Sequence, residues 1–407
     1  MRFLVLIFSV LLFISCGKEK ILTLQKGNYR AVLEVKDNQK LPFIFKVEND
    51  SLLTIFNADE KIIVDEISYF NDSIKIQTPV FEGYIIAKIK ESGNLEGFFI
   101  KPSLDRVVDF RATPQTKNRF NNTTNKSTTN ISGSWQTVFS QNTDSSYIAK
   151  GIFNQRNQKV TGTFRTTTGD YRYLEGIVDG DSLKLSTFDG AHAFLFKAKI
   201  TDTTMNGFFY SGNHWKEPFT AKLNNNYQLP KEENLTYIKE GYNRFSFSFP
   251  DTKGRVISLN DAEFDNKVVV VQIMGTWCPN CLDESKFLVN YLKNHNNKKI
   301  KVVALAFEVA KTRAVAYQRI NRLKKRIGVN YPILLAQYGN AADKTLAQRK
   351  LPMLNHVISY PTTIFIDKNR KVRKIHTGFN GPATGEEYEI FKKEFESFVD
   401  ELVNEKE

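Results

Sequence analysis

The segment Trp277-Cys278-Pro279-Asn280-Cys281 constrains this chain more than any other. It follows the apolar run Val268-Val269-Val270-Val271-Gln272-Ile273-Met274 and precedes a helical pattern. A buried strand that delivers two cysteines, two residues apart, to the first turn of a helix reads as a redox device. The helix N-terminus carries a partial positive charge and unpaired N–H groups, which favour a thiolate there. The two-residue gap lets the second sulfur reach the first, so that a mixed disulfide can be resolved within the chain. Half of a zinc site is the competing reading, but the sequence holds no second cysteine pair or histidine cluster to complete four ligands.

The chain has three cysteines, and the third has its own explanation. Residues 3–14 form an apolar run behind Arg2, followed by Ser15-Cys16-Gly17. A bilayer needs roughly 20 apolar residues, so this run has the length of a signal-peptide core instead. A cysteine after a small residue at its end resembles the bacterial lipobox, which implies cleavage before Cys16 and lipidation of its thiol. Residues 1–15 are then a signal peptide and 16–26 a tether. The mature chain would keep two thiols, both in the motif, as suits an exported protein in an oxidising compartment. An extracytoplasmic, membrane-anchored lipoprotein follows, with a Gram-negative periplasm as the expected place.

Composition is that of a globular protein, 41% hydrophobic and 25% charged, in a chain long enough for two or three domains. The net charge of +13 is not taken as a nucleic-acid signal, because an exported lipoprotein rarely meets any. Part of that charge is local: Lys311, Arg313, Arg319, Arg322, Lys324, Lys325 and Arg326 share a stretch without an acid. It reads first as a solvated helix face and otherwise as a surface for an acidic partner or lipid headgroups.

From about 27 to 225 the pattern is all-β, with alternating runs bounded by Asn, Asp and Gly turn signals. An internal repeat is visible. Asp72-Ser73-Ile74-Lys75-Ile76 leads to Gly97-Phe98-Phe99, and Asp181-Ser182-Leu183-Lys184-Leu185 leads likewise to Gly207-Phe208-Phe209. Gly27-Asn28-Tyr29 pairs with Gly133-Ser134-Trp135. Two copies of a small β domain are expected, over 27–120 and 131–225, joined by a polar linker at 121–130. Each should be a meander or barrel-like sheet of roughly six to eight strands. Neither shows a constellation of chemistry, and His192 and His214 read as packed or surface residues. A spacer, a docking surface or a dimerisation module all fit this half.

After a linker at 226–244 the pattern turns α/β, over 245–407. A hairpin at 245–259, the strand at 268–274 and a helix to about Asn294 come first. A strand at 300–307, a basic helix near 312–327, a short strand at 331–335 and a helix near 342–350 follow. The strand 362–366 turns into 371–376, and a last helix carries Phe391, Phe395, Phe398 and Leu402 on one stripe. Thr384 and Glu387 have capping-box spacing at its start.

Gly275-Thr276-Trp277-Cys278-Pro279-Asn280-Cys281, Tyr360-Pro361-Thr362-Thr363 and Gly378-Phe379-Asn380-Gly381 resemble the TlpA/ResA branch of the thioredoxin-like superfamily, membrane-tethered extracytoplasmic thiol–disulfide oxidoreductases. The resemblance covers residues from about 245 to 400 and says nothing of the β half. The fold class is therefore multidomain: a duplicated all-β region followed by an α/β thioredoxin-like fold. Cys278, at the helix start, is expected to attack, and Cys281, one turn in, to resolve; the two would form the redox disulfide. The resemblance makes Pro361 a cis-proline facing the cysteines, with the Tyr360 backbone turned toward a substrate peptide. It also makes Glu284, on the same helical face as Cys281, a buried proton acceptor or pKa tuner, whereas Asp283 reads as solvated. Trp277, Pro279, Asn280 and Tyr360 are the expected substrate-facing residues, and His356 reads as structural.

The leading reading is an enzyme exchanging electrons with disulfide- or dithiol-containing exported proteins. It needs no metal or organic cofactor, but does need a membrane electron donor or acceptor. Reductive and oxidative directions both remain open. A peroxiredoxin-like thiol peroxidase is an alternative, although Thr276 stands only two residues before Cys278 and the expected proline is missing. A ligand- or partner-binding lipoprotein with a regulatory redox domain is the third reading.

Overall fold

The computed structural model describes residues 22–120, 126–127, 129–230, 235–295, 297–340 and 344–406. The signal segment, Cys16 and part of the linker at 121–130 lie outside the described residues.

Alternating apolar residues build a first antiparallel sheet of nine strands from Gly27–Val35 to Arg106–Pro114. Its first strand pairs with both the second, Gln39–Asn49, and the last. A second nine-stranded sheet runs from Gly133–Phe139 to Trp215–Leu223, and its first strand again pairs with the second, Tyr147–Arg156, and the last. Here Tyr147–Arg156 also pairs with Lys159–Thr166. That ladder closes a ring and removes the exposed edges an open sheet would carry. The count exceeds the expected six to eight. In the second sheet the extra strand is the two-residue Gly169–Asp170; in the first, Asp65 divides one apolar stretch into Glu60–Val64 and Glu66–Phe70.

Residues paired by the sequence repeat sit at like points. Tyr29 and Trp135 are fully buried, and each reaches back four residues, Tyr29 Oη accepting from the Gln25 N–H at 3.1 Å and the Trp135 indole donating to Ile131 O at 2.9 Å.

The two sheets are not beads on a string. Phe188, Ala193, Leu195 and Tyr210 of the second belong to the core of the first, with the Phe188 ring 4.4 Å from Phe43 and 5.0 Å from Phe99. Arg119 is buried in the seam and donates to Pro42 O, Phe56 O and Ser186 O, satisfying carbonyls that desolvation would otherwise penalise.

The C-terminal part holds a five-stranded sheet in the order Ile333–Asn340, Ile300–Ala310, Val268–Met274, Thr362–Ile366, Val372–Thr377. The first three strands are parallel and the last two antiparallel to their neighbours. Every residue of Val268–Met274 is buried, as a β-branched run in a sheet covered on both faces requires. Helices α1 (Pro279–His295), α2 (Arg313–Ile327), α3 (Lys344–Lys350) and α4 (Glu386–Asn404) complete it. Phe287 of α1 packs on Phe391 and Phe395 of α4 at 5.4 and 4.9 Å.

Three expectations change here. The strand expected at 331–335 is Ile333–Asn340. The capping box does not form: the Thr384 hydroxyl donates to Gly381 O within the turn Pro382–Thr384, and Glu387 pairs with Arg165 of the second sheet at 3.0 Å. The basic face of α2 is not left to solvent. Arg319 pairs with Glu82, Arg322 with Glu66 at 2.9 Å and Arg326 with Asp65 at 2.7 Å, so the first sheet is the acidic surface that these arginines meet.

Candidate active site

The central strand ends at Met274, and α1 opens with Pro279, whose missing N–H is no loss at the first helical position. Cys278 stands just before it, and Leu282 N–H bonds Cys278 O at 3.1 Å. Cys278 Sγ accepts the Cys281 backbone N–H at 3.1 Å. A sulfur thus takes the place that a serine or aspartate oxygen fills in a helix N-cap, where an anion is favoured. The two cysteines are disulfide-bonded, with Cα atoms 5.2 Å apart. Cys281 is fully buried and Cys278 is 6% exposed.

The Tyr360–Pro361 peptide bond is cis, and Tyr360 O lies 3.4 Å from Cys278 Sγ. The Trp277 indole donates to Phe307 O at 2.9 Å, and its ring meets Tyr360 edge-on at 5.5 Å. His356 is exposed and stands away from these groups, its ring beside Asn355.

Beneath the cysteines, Glu284 is 1% exposed. Its oxygens accept from Gln272 Nε2 at 2.7 Å and Thr363 Oγ1 at 2.6 Å. Gln272 Nε2 also reaches Cys281 O at 3.4 Å. Burial pushes the Glu284 carboxyl up to about 7, against the opposing pull of those two hydrogen bonds. A second buried carboxylate, Glu308, accepts from Thr276 N at 2.8 Å and from Thr276 Oγ1 at 2.5 Å. It fixes the residue preceding Trp277, and burial raises its carboxyl too. Neither Gln272 nor Glu308 figures in the motif, yet Gln272 is the lone polar residue of Val268–Met274 and Glu308 the lone acidic residue of Ile300–Ala310. That signal was readable.

Asp283 differs most from expectation. It is buried and paired with Arg172 of the second sheet, which also binds Pro279 O at 3.2 Å. Around it, the turn between Lys159–Thr166 and Gly169–Asp170 presses on the cysteine motif. Asn280 Nδ2 donates to Asp170 O at 3.2 Å, Gly381 N to an Asp170 carboxylate oxygen at 2.7 Å, and Ser359 Oγ to Thr168 O at 2.9 Å. Pro279 and Asn280 thus lie against the second sheet, and Asn280 also lines the cleft beside it. Trp277 and Tyr360 border an open cleft of about 600 Å³ between that sheet and the redox half.

Two expected results follow from these contacts. Glu284 stays protonated in the folded protein well above its ordinary 4.5. Between pH 4.5 and 7 the folded state then binds more protons than the unfolded, so stability falls as pH rises through that window, by on the order of 3 kcal/mol. Glu284→Gln should remove this slope from urea midpoints taken across the window and should displace the pH profile of Cys278 alkylation. Unchanged profiles would assign Glu284 no part in proton exchange. Gly378 has φ +86, and a Cβ there would lie 2.5 Å from the Thr168 carbonyl carbon. Gly378→Ala should therefore destabilise the protein by roughly 1–3 kcal/mol and speed amide exchange around Thr168. Slow exchange equal to that of the parent would contradict that close approach.

Several known proteins are similar to part of this chain. Residues 242–375 match the model of the AhpC/TSA family. The thiol-disulfide oxidoreductase ResA of Bacillus subtilis is 28% identical over 141 residues, 35% of this chain and 69% of that protein. The thioredoxin-like protein YneN of the same organism is 28% identical over 35% of this chain and 73% of its own. Among solved structures, a thiol:disulfide interchange protein of the thioredoxin family from Chlorobium tepidum superposes with a TM-score of 0.30 at 18% identity, covering 41% of this chain and all of that one.

Proposed function

From a C-terminal half that is TlpA/ResA-like and of the thioredoxin family, and that makes this chain a thiol–disulfide oxidoreductase with a Cys-x-x-Cys pair, we propose a lipid-anchored enzyme acting on exported proteins through Cys278 and Cys281. The observation that carries the roles is the Cys281 N–H held 3.1 Å from Cys278 Sγ at the mouth of α1.

In the reductive direction the Cys278 thiolate attacks a substrate disulfide. One Cys278–substrate S–S bond forms, the substrate S–S bond breaks, and one substrate thiolate leaves and takes a proton. The Cys281 thiolate then attacks Cys278 Sγ, giving the intramolecular disulfide and releasing the second substrate thiol. Two electrons and two protons pass from enzyme to substrate, and the oxidative direction runs the same steps backwards. Glu284, which shares Gln272 with the Cys281 carbonyl and whose carboxyl burial pushes up to about 7, is suited to exchange a proton beneath the cysteine pair at neutral pH. Pro361 and Tyr360 hold the face against which the attacked sulfur sits.

We read 27–120 and 131–225 as two copies of one β unit, supported by the matching Tyr29 and Trp135 anchors. The membrane anchor rests on the sequence around Cys16, and no described helix is long and apolar enough to cross a membrane. A membrane electron donor or acceptor would recycle the pair. Fractionation tests the anchor: Cys16→Ala should leave the membrane pellet, and retention there would sink it. For the chemistry, the purified protein should exchange with hydroxyethyl disulfide and dithiothreitol faster than it consumes hydrogen peroxide. The reverse order would favour a thiol peroxidase.

A further inference from the structure

We propose that the second β-sheet is one half of the substrate site, and that the cleft between it and the redox half selects an extended, cysteine-bearing segment with an aromatic or aliphatic side chain beside the cysteine. This rests on the exchange reaction proposed above and adds which partners can use it.

The position of the cleft carries the first step. It opens between Trp277 and Asn280, the chain neighbours of Cys278, and Tyr360, whose carbonyl lies 3.4 Å from the Cys278 sulfur. Its opposite wall comes from the second sheet, including Ile148, Tyr171 and Phe194. The wall is fixed, because the turn at Thr168 and Asp170 is hydrogen-bonded to the loop before Pro361, to Asn280 and to Gly381. A cysteine only 6% exposed and walled in this way cannot be met by the convex face of a folded protein. A segment in strand conformation can enter, as peptides do when they lie along an exposed backbone edge.

The chemistry of the lining carries the second step. Among the described residues no lysine, arginine or glutamate side chain lines the cleft. The carboxylate of Asp170 is turned away, toward the backbone N–H groups of Gly381 and Arg172 at 2.7 and 2.6 Å. Ile148 is 36% exposed within the cleft, an apolar side chain on a strand whose outward positions could be polar. Asn280 Oδ1 is buried without a hydrogen-bond partner among the described residues. A backbone N–H of an entering segment would satisfy it. Aromatic and aliphatic walls with one unmet acceptor suit an uncharged segment. A charged residue there would lose its hydration, and His192, the one lining side chain that could carry a positive charge, already turns its Nδ1 to Asp189 at 3.3 Å.

The test uses the reduced, full-length protein and three probes. Two are short peptides, each a mixed disulfide of its single cysteine with thionitrobenzoate, one flanked by phenylalanine and the other by aspartate. The third is hydroxyethyl disulfide, too small to need the wall. The phenylalanine peptide should react about tenfold or more faster than the aspartate peptide, the range a hydrophobic subsite supplies. Ile148→Glu should lower the ratio of phenylalanine-peptide to hydroxyethyl-disulfide rate constants by about tenfold, and Ile148→Val should restore most of it. Phe70→Glu, an equal change at an exposed position of the first sheet, should leave the ratio alone. If the parent protein reacts equally with both peptides, or Ile148→Glu leaves the ratio unchanged, the second sheet is no part of the site. If the parent protein reacts with none of the three, the exchange reaction itself falls, which is a distinguishable result.

Discussion

Cys278→Ser is expected to abolish disulfide exchange, lowering kcat/KM by on the order of 10³-fold or more, without unfolding the protein. The serine hydroxyl keeps the cap, because it can accept the Cys281 N–H that Cys278 Sγ accepts at 3.1 Å. What it lacks is a readily formed anion that can attack sulfur. Cys281→Ser should behave differently under the same conditions. Its first half-reaction remains, so one equivalent of substrate thiol is released per protein before turnover stops. Rapid-mixing traces with a chromogenic disulfide separate the two: a stoichiometric burst for the position 281 variant and a flat line for the position 278 variant. A burst from Cys278→Ser would reverse the assigned roles.

Arg172→Ala is expected to have the largest structural effect of any single substitution outside the cysteines. Its guanidinium is 3% exposed and is paired with Asp283 of α1, with Glu60 of the first sheet and with Asp189 at 3.2 Å. Burial alone would lower its affinity for a proton, but the surrounding carboxylates more than reverse this and hold it charged. The residue also sits at φ 59, a conformation that side chains other than glycine adopt at a cost. Removing it leaves the buried Asp283 and Asp189 and the partly buried Glu60 without their common partner, a loss of about 3–5 kcal/mol in comparable pairs. The damage should concentrate where the three parts of the chain meet. Hydrogen exchange should rise across 166–172 and 279–285 while the core strand Val268–Met274 stays protected. Asp283→Asn should cost less, because two carboxylates still face the guanidinium. If exchange in those two segments matches the parent protein, the ion cluster does not hold the second sheet to the redox half.

How much of this was legible depends on how far apart the interacting residues lie in the chain. The strand–cysteine–helix unit could be read from the contiguous stretch Val268 to Cys281, since the apolar run, the turn and the helix start are all local signals. The β half announced its strands through alternation, and its repeat through Tyr29 and Trp135. The family resemblance singles out Glu284 on the helical face of Cys281, but its partners Gln272 and Thr363 come from two separate strands. Arg172 and Asp283 are 111 residues apart, and nothing near either one distinguishes a buried pair from two solvated charges. The same holds for Arg322 and Arg326, which looked like a solvated face because the first sheet that neutralises them lies far upstream. Thr384 and Glu387 had the right spacing for a cap, but the turn opened by Pro382 claimed the threonine and Arg165 claimed the glutamate.

The central claim is that Cys278 attacks, that Cys281 resolves, and that the substrates are exported proteins. Expressing the Cys281→Ser protein in its native cell, quenching with acid and alkylating free thiols would freeze any mixed disulfide. Peptide mapping by mass spectrometry then identifies the bond. The expected result is a set of exported proteins joined through Cys278, released by reductant and missing from a parallel Cys278→Ser sample. Recovery of the Cys281→Ser protein with Cys278 alkylated and no partner attached would contradict it.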